Sequence, residues 1–550
     1  MNTKQSALKM VLLMVLFVSW NIEGYAQSAG ESSKLMPSDN YTTLPHDLIT
    51  PHVAFAKPLQ GGPIKALFLV PYIHGRDVVE LWQRFDLDYN AYILQGRASE
   101  TPPYEAPQYI LDRYSGLSKE ELENDLLKKL DTNPQVIVLV NADLSKATPA
   151  AQEKVLKLVK SGVGLVLTYR AIKPSSPFFE KEDLSGREQV SSGVPWTGLP
   201  ELFPGEEVCI SELPAKAITT YTCGKGRVVT IRFRSELIQG SSYIKHEDGL
   251  TPSLYGVGYS RQWDDRYGRY LSLISKAVFW ASGRQQQWKL SMPGDGSRFE
   301  RKNLPKEKGF NLQVVSLEPG TGNLLVEIRD SLGEVAYTNK ESVEIKEAGE
   351  SVVLSQAIPK LKAGLYYLDA RLLVNGKTAD WGSLAFRVTV PEEIRAIKLY
   401  KETVERGEEV RGVIFLAGVP TGPGEIHVRA IDTNGRIYAE THQELLRGNI
   451  TIPFGAIRLD DPSTIASYIE AEIVRDGEVI TRGSTVVFVP KRNMQALDAD
   501  EFPHLIWGTQ MPGLATGMVE ARQQRRAGFN IGLSWSDPDN IKFQNMSLIQ

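Results

Sequence analysis

The hydrophobic pattern of this chain changes its period near Lys306, and this change constrains the fold more than any other feature. Before it, short apolar runs alternate with segments of helical period, and the run at 135–140 is almost continuously apolar. A run of this kind suits a central parallel strand buried on both faces. After Lys306, apolar and polar residues alternate, which is typical of strands with one buried face. The sequence therefore predicts an α/β part followed by an all-β part.

The α/β part is predicted to occupy residues 53–290. Its first elements follow the order βαβαβαβ, with strands at 64–70, 88–94, 135–140 and 164–168. The helix before the last of these strands begins at Thr148-Pro149, with proline in the first helical position, and ends at Gly162. This order predicts a doubly wound α/β sheet with right-handed crossovers.

Two β-sandwich modules are predicted next, at 291–395 and 396–492. Leu324, Val326 and Ile328 share one face of a strand. Hairpin turns are indicated at three pairs of residues, Asn375-Gly376, Asn434-Gly435 and Asp476-Gly477. The alternation, the turns and module lengths of about 100 residues are typical of immunoglobulin-like sandwiches.

The first 26 residues have the three parts of a secretory signal peptide. Lys4 and Lys9 precede the apolar run 10–18, and Gly24-Tyr25-Ala26 supplies small residues for cleavage. An uncleaved membrane anchor is the alternative, although the run is short for a bilayer. We therefore predict a signal peptide at 1–26, a linker at 27–52, a secreted or periplasmic protein, and no membrane span after cleavage.

The net charge and the cysteine content limit which classes of partner and ligand are expected. The net charge of −4 argues against a nucleic-acid binder, which needs clustered positive charge. Cys209 and Cys223 are the two cysteines, and a disulfide and two separate buried thiols stay open as alternatives. A lone pair of cysteines does not make a metal site, and we predict neither a metal nor a cofactor.

Three landmarks in the α/β part resemble a known family. The strand Gly-Val-Gly-Leu-Val-Leu-Thr at 162–168, the run Gly-Lys-Gly-Arg-Val at 224–228 and the helix ending at Arg284 occur in that order. They resemble class I glutamine-amidotransferase-like domains, in particular the ThuA-like group. The resemblance implies an accessory domain that often forms oligomers, so a homo-oligomer through this domain is expected. Neither cysteine lies at a strand-to-helix elbow, so glutamine hydrolysis is excluded.

Polar residues follow several strands of this domain at the edge where doubly wound sheets bind ligands. We interpret them mainly as turn, cap and solvated residues, and a sugar or anion site is the alternative. The candidates are His74, Arg76, Asn141, Asp143, Tyr169 and Arg170.

The closing stretch, 497–550, reads as strand, loop, helix, glycine and strand. Its Trp507-Gly508 and Gly528-Phe529-Asn530 resemble the first unit and a half of the (β/α)8 barrel of retaining glycoside hydrolases, in which the catalytic carboxylates lie on later strands. A barrel needs about 250 residues, so the stretch is expected to be a truncated start.

The resemblances together imply the non-catalytic, N-terminal part of a secreted, β-galactosidase-like glycoside hydrolase, with carbohydrate as the partner. A secreted carbohydrate-binding or assembly protein with a catalytically dead α/β domain is the alternative. An active ThuA-like enzyme, which would depend on His74, Asn141 and Tyr169, is a third possibility.

Overall fold

The computed structural model describes residues 49, 52–71, 75–95, 119–140, 144, 147–168, 218–231, 265–293, 296–305, 309–420, 422–460, 462–489, 505–509, 531–534 and 547–549. The predicted signal peptide lies outside these ranges. Among the described residues β-strands predominate over helices. Within them, no helix combines the length and the apolar character that a membrane span requires.

The first sheet has six strands in the order β2-β1-β3-β4-β6-β5, and only β5 runs antiparallel to its neighbour. Its strands are β1 (Ile64–Pro71), β2 (Leu87–Gln95), β3 (Val136–Leu139), β4 (Gly164–Thr168), β5 (Ile218–Cys223) and β6 (Gly226–Ile231). Its helices are α1 (Gly75–Arg84), α2 (Lys119–Asp131), α3 (Pro149–Ser161) and α4 (Asp265–Ala281).

Helices cover both faces of this sheet. Apolar side chains of α1 and α4 pack with one face, and those of α3, with Leu126 and Leu130 of α2, pack with the other. The strand β3 is fully buried along its length, as its apolar run predicts. The helical period in the sequence predicts a helix over 78–87, and its predicted end is wrong, because α1 ends at Arg84 and Leu87 begins β2.

Gly164, the first residue of β4, allows a close contact with the helix α4. The Thr148 hydroxyl accepts from the Ala151 N–H at the start of α3, and Gly162 ends the helix. A Cβ on Gly164 would lie 2.1 Å from the carbonyl oxygen of Ala281 at the end of α4. The helix therefore approaches the sheet closely because this position lacks a side chain.

The first β-sandwich packs a sheet of three strands on one of five. The smaller sheet has the order β12 (Ser351–Gln356), β9 (Phe310–Ser316) and β7 (Trp288–Ser291). The larger has the order β11 (Val335–Ile345), β10 (Gly320–Asp330), β13 (Gly364–Val374), β14 (Lys377–Thr389) and β8 (Ser297–Glu300). A short 3-10 helix, Arg301–Asn303, follows β8.

The second β-sandwich is built in the same way. Its three-stranded sheet has the order β15 (Ile394–Leu399), β16 (Glu409–Leu416) and β19 (Thr451–Arg458). Its four-stranded sheet has the order β18 (Ile437–Glu444), β17 (Glu425–Asp432), β20 (Ala466–Arg475) and β21 (Glu478–Phe488).

Two of the three predicted hairpin turns have the backbone conformation that their residues favour. Asn375-Gly376 and Asp476-Gly477 have positive φ at both residues, as a two-residue hairpin turn of the primed type requires. Leu324, Val326 and Ile328 are all buried in the first sandwich, as their alternation predicts.

A last, parallel sheet contains β22 (Leu505–Thr509), β23 (Ile531–Ser534) and β24 (Ser547–Ile549). The first two strands lie where the sequence predicts them, and the third was not predicted. The helix predicted between β22 and β23 lies outside the described residues.

Candidate functional site

The rim of the α/β sheet, where the sequence places most candidate site residues, is only partly described. β1, β3 and β4 are parallel neighbours, so the residues after them follow the same edge of the sheet. Arg76 is the second residue of α1. The other candidates, His74, Asn141, Asp143, Tyr169 and Arg170, lie outside the described residues, so a ligand site at this rim stays a prediction.

The cysteine prediction is likewise untested. Cys223 ends β5 and is buried against the side of the sheet that α2 and α3 cover. Residues 207–211, a run that the sequence predicts as a strand and that contains Cys209, lie outside the described residues. The strand that pairs with β5 is β6, which follows it through the turn at Gly224.

A buried polar network connects the α/β sheet to the first sandwich. We call such a contact between two successive units a joint. The Lys276 ammonium, on α4, donates to Asp380 Oδ1 at 2.8 Å and to the carbonyl oxygen of Trp381 at 2.6 Å. The other carboxylate oxygen of Asp380 accepts the N–H of Leu290 at 2.7 Å. Both charged side chains are 1% exposed. Asp380 thus links β7, β14 and α4 through one carboxylate.

Trp381 belongs to the same joint. Its indole Nε1 donates to Ser272 Oγ at 2.8 Å, and the Lys276 ammonium lies 4.6 Å from its ring centroid. The ring stacks on Phe55 at 5.8 Å and contacts Phe85 at 5.7 Å, so it is part of the core on this side of the α/β sheet. Trp381 is therefore a packing residue and not an exposed platform for sugars.

The joint has backbone contacts as well. The segment before β1 forms a short bridge with β14, in which Gln60 N–H donates to the Thr378 carbonyl and Thr378 N–H donates to the Pro58 carbonyl, both at 2.8 Å. Beside Trp381 lies a cavity of about 30 Å³. Ser383 Oγ lines it, is buried and has no hydrogen-bond partner among the described residues. One water molecule fits such a space.

A larger cavity of about 550 Å³ lies between the two sandwiches. Its wall carries five basic side chains and three carboxylates. The basic residues are Arg298, Lys362, Arg387, Arg395 and Arg482. The acidic residues are Asp330, Glu393 and Glu470.

Each of the three carboxylates in this cavity faces a cation. Lys362 lies 3.0 Å from Asp330 Oδ2, Arg387 pairs with Glu393, and Arg482 lies 3.8 Å from Glu470 Oε1. Arg298 and Arg395 are exposed and form no ion pair with any described residue. The cavity therefore presents two unneutralised guanidinium groups, which suit a carboxylate, a sulfate or the hydroxyl groups of a sugar.

The two sandwiches are tied together beside this cavity. Glu478, at the start of β21, lies 2.8 Å from Arg301 and 2.7 Å from Lys360 of the first sandwich. Hydrogen bonds from Lys360 and Arg301 hold the pKa of Glu478 below its ordinary value. Ala363 N–H also donates to the Ile480 carbonyl at 2.6 Å, so a backbone contact accompanies the ion pairs.

Among the described residues, a donor set that could hold a metal ion lies on the outer face of the second sandwich. Glu425, His427 and His442 bring their ligand atoms within 4.8 Å of one another. This group was not predicted, although the position of the hairpin turn and the alternation along the strand would have indicated it. Counting outward from the predicted turn at Asn434-Gly435 places His427 opposite His442, and the alternation of Ile426 and Val428 into the core turns His427 outward.

Comparisons with known proteins add no assignment. No family model and no curated protein matches this sequence. Two crystal structures of glycosyl hydrolase family 2 members from Bacteroides cellulosilyticus are similar at TM-scores of 0.20 and 0.21, with 11% and 10% identity. They cover 44% and 48% of this chain, which spans 37% and 39% of theirs. Red sea bream transglutaminase has a TM-score of 0.19 and 12% identity, covering 49% of this chain and 38% of its own.

The chain thus spans less than two fifths of the length of these structures. Similarities at such TM-scores carry no argument about fold or function. The class of protein is defined by the molecule itself: a mainly parallel, helix-covered sheet followed by two β-sandwiches.

Proposed function

We propose that this chain is the accessory part of a secreted, carbohydrate-active protein and that its described residues act as a rigid support rather than as a catalytic centre. In this proposal residues 53–290 form an amidotransferase-like domain, 291–395 and 396–492 form the two sandwiches, and 497–550 begin a barrel-type βα domain. The sequence resemblances to the ThuA-like group and to glycoside hydrolase barrels support the carbohydrate assignment.

The observation that carries the support role is the construction of the joints between successive units. The Lys276–Asp380 pair fixes the α/β sheet to the first sandwich inside a buried core. Glu478 and the backbone contact at Ala363 fix the first sandwich to the second. Neighbouring units move together when the interface between them is large and apolar, as it is where Trp381 enters the core on one side of the α/β sheet. Such an arm would hold the two sandwiches at a set position relative to the α/β sheet.

The chemistry of the large cavity favours a non-catalytic role. A glycosidase needs one carboxylic acid that protonates the leaving oxygen and one carboxylate that acts on the sugar. Asp330, Glu393 and Glu470 each face a basic group, an arrangement that suits carboxylate anions in structural ion pairs. We therefore assign these residues to structural ion pairs in the wall of the cavity.

The test of this proposal is a hydrolysis assay of the intact chain on a panel of aryl glycosides, together with the Asp330→Asn and Glu393→Gln variants. We expect all three proteins to show the same background rate. Turnover by the wild-type chain that falls in either variant would refute the support role and place a glycosidase site in the cavity.

A second candidate function is carbohydrate binding in the same cavity. The observation that favours it is the presence of Arg298 and Arg395, exposed and unpaired among the described residues, at the wall of a space of about 550 Å³. Pockets of this size hold small ligands such as short oligosaccharides. The ligand class would be a sugar that carries a carboxylate or a sulfate group, because guanidinium groups bind such anions in a bidentate manner.

Affinity electrophoresis of the intact chain in gels that contain acidic or neutral polysaccharides tests this candidate. Retardation by an acidic polysaccharide should disappear in the Arg298→Ala/Arg395→Ala variant. The matched control is Arg411→Ala, since Arg411 is an exposed arginine of the second sandwich outside the cavity. Equal retardation of all three proteins, or of none, would remove the candidate.

A further inference from the structure

We propose that Glu425, His427 and His442 bind one divalent first-row transition-metal ion, of which Zn²⁺ fits best, on the outer face of the second sandwich. The site is independent of the proposed support role. None of its three residues lines the large cavity, whose Glu470 and Arg482 lie on neighbouring strands of the same sheet.

The strand pairing brings these three side chains together. His427 of β17 is directly opposite His442 of β18, and Glu425 precedes His427 by two residues on the same strand. Residues two apart on a strand share a face, and directly opposite residues have Cβ atoms about 5 Å apart. A hairpin with this register therefore presents two imidazoles and one carboxylate as a triangle.

The observed distances suit metal binding. His427 Nε2 lies 2.9 Å from Glu425 Oε2, and the two imidazole centroids are 4.2 Å apart with an angle of 70° between the rings. Zinc binds histidine nitrogen and carboxylate oxygen at about 2.0–2.2 Å, which places two ligand atoms of one ion roughly 3.3 Å apart. All ligand atoms already lie within 4.8 Å of one another. Small side-chain rotations therefore complete the site.

The donor types select the metal class. Imidazole nitrogen suits Zn²⁺, Cu²⁺, Ni²⁺ and Co²⁺, whereas Ca²⁺ and Mg²⁺ prefer oxygen ligands alone. Three protein ligands leave one position of a tetrahedral ion for water. The exposed setting of Glu425 and His442 makes that position accessible.

Carboxylates beside the triangle favour a cation. Arg429, which shares the face of His427, pairs with Glu440 and Glu472 but not with Glu444. Glu444 is directly opposite Glu425 and shares its face, and Glu444 forms no ion pair with any described residue. Like charges at directly opposite positions destabilise a strand pair. Glu440 also approaches His442, with its Oε1 3.8 Å from His442 Nε2. A divalent ion at the triangle would offset this repulsion between carboxylates.

A bound ion would also stabilise the edge strand β18 within its sheet. β18 is an edge strand of its sheet, and its residues are exposed or half-buried along its whole length. Exposed edges can pair with other chains. An ion shared by β17 and β18 would hold the edge in its own sheet.

The test uses the full chain without a histidine tag. Isothermal titration with Zn²⁺ should give one site per chain, and Co²⁺ should produce the visible absorption bands of a low-coordinate nitrogen–oxygen site. His442→Gln and Glu425→Gln should each weaken binding at least about tenfold, because even outer-shell partners of metal ligands contribute about 10–100-fold. His52→Gln is the control, since His52 lies outside the triangle.

Both test residues are well exposed, with side-chain exposures of 48% and 63%, so the variants should fold, and far-ultraviolet circular dichroism checks this. The proposal is overturned if the wild-type chain binds no Zn²⁺ at 1:1 stoichiometry. It is also overturned if folded His442→Gln and Glu425→Gln bind as tightly as His52→Gln, because the ion would then lie elsewhere.

Discussion

The buried Lys276–Asp380 pair gives the sharpest prediction about the joint between the α/β sheet and the first sandwich. Lys276→Met removes the ammonium but keeps an unbranched apolar side chain. Since both partners are 1% exposed, the Asp380 carboxylate would remain buried without a cation. Removing one partner of a buried pair costs about 3–5 kcal/mol.

The expected loss of stability in Lys276→Met lies near the lower end of that range. Asp380 keeps two donors in the variant, the N–H groups of Leu290 at 2.7 Å and Trp381 at 2.9 Å. These hydrogen bonds to a charged acceptor offset part of the loss. We therefore expect a cost of about 3 kcal/mol, which corresponds to a roughly hundredfold increase in the population of the locally open state.

Hydrogen exchange followed by mass spectrometry is the suitable assay, because one unfolding midpoint is not well defined for a chain of several units. Peptides from α4 and β14 should lose about two powers of ten in protection. The control is Lys157→Met, which removes an ion pair with Glu153 on the exposed surface of α3. That variant should leave both peptides unchanged.

The double variant Lys276→Met/Asp380→Asn separates charge from packing. Asparagine keeps a carbonyl oxygen for the Leu290 N–H and removes the buried charge. Protection should recover by about tenfold or more relative to Lys276→Met, because contacting residues are energetically coupled. Unchanged protection in Lys276→Met, or simple additivity of the two substitutions, would refute the reasoning.

Two further predictions concern carboxylates of the second sandwich. Burial acts to raise the pKa of Asp432, but hydrogen bonds from Ser463 and Arg436 outweigh it and hold the pKa below its ordinary value. Its contribution to stability is therefore full above about pH 4 and is lost as the pH falls through the lower folded value. In Asp432→Asn the stability of the second sandwich, measured by hydrogen exchange of peptides from β17 and β20, should therefore fall less steeply with decreasing pH. Glu478→Gln should weaken the joint between the sandwiches, seen as faster amide exchange at Ala363, with Glu409→Gln as an exposed control; equal exchange in both would contradict the assigned role.

Local elements of this fold could be predicted from the sequence wherever neighbouring residues determine them. The strand 164–168 and the hairpin turn at Asn375-Gly376 match the structure because period, glycine and turn chemistry act over a few residues. The alternation along 364–374 predicts a polar face with Tyr367, Asp369 and Arg371, and here the structure differs from the prediction. Tyr367 and Asp369 are buried there, because the α/β unit covers that face and Arg329 pairs with Asp369 at 2.6 Å.

The joints and the metal triangle could be predicted only in part. Lys276 and Asp380 are 104 residues apart, and no local pattern relates a helix of one unit to a strand of another. The cavity between the sandwiches could not be predicted for the same reason, since residues of both modules form its wall. His427 and His442, in contrast, belong to one hairpin, so the turn and the alternation suffice to pair them.

The most direct test of the central claim is the hydrolysis assay of the intact chain against aryl glycosides, with Asp330→Asn as the matched variant. The support role predicts no turnover above the buffer rate for either protein. Turnover by the wild-type chain that is lost in Asp330→Asn would contradict it, because a carboxylate assigned to a structural ion pair would then be carrying the chemistry.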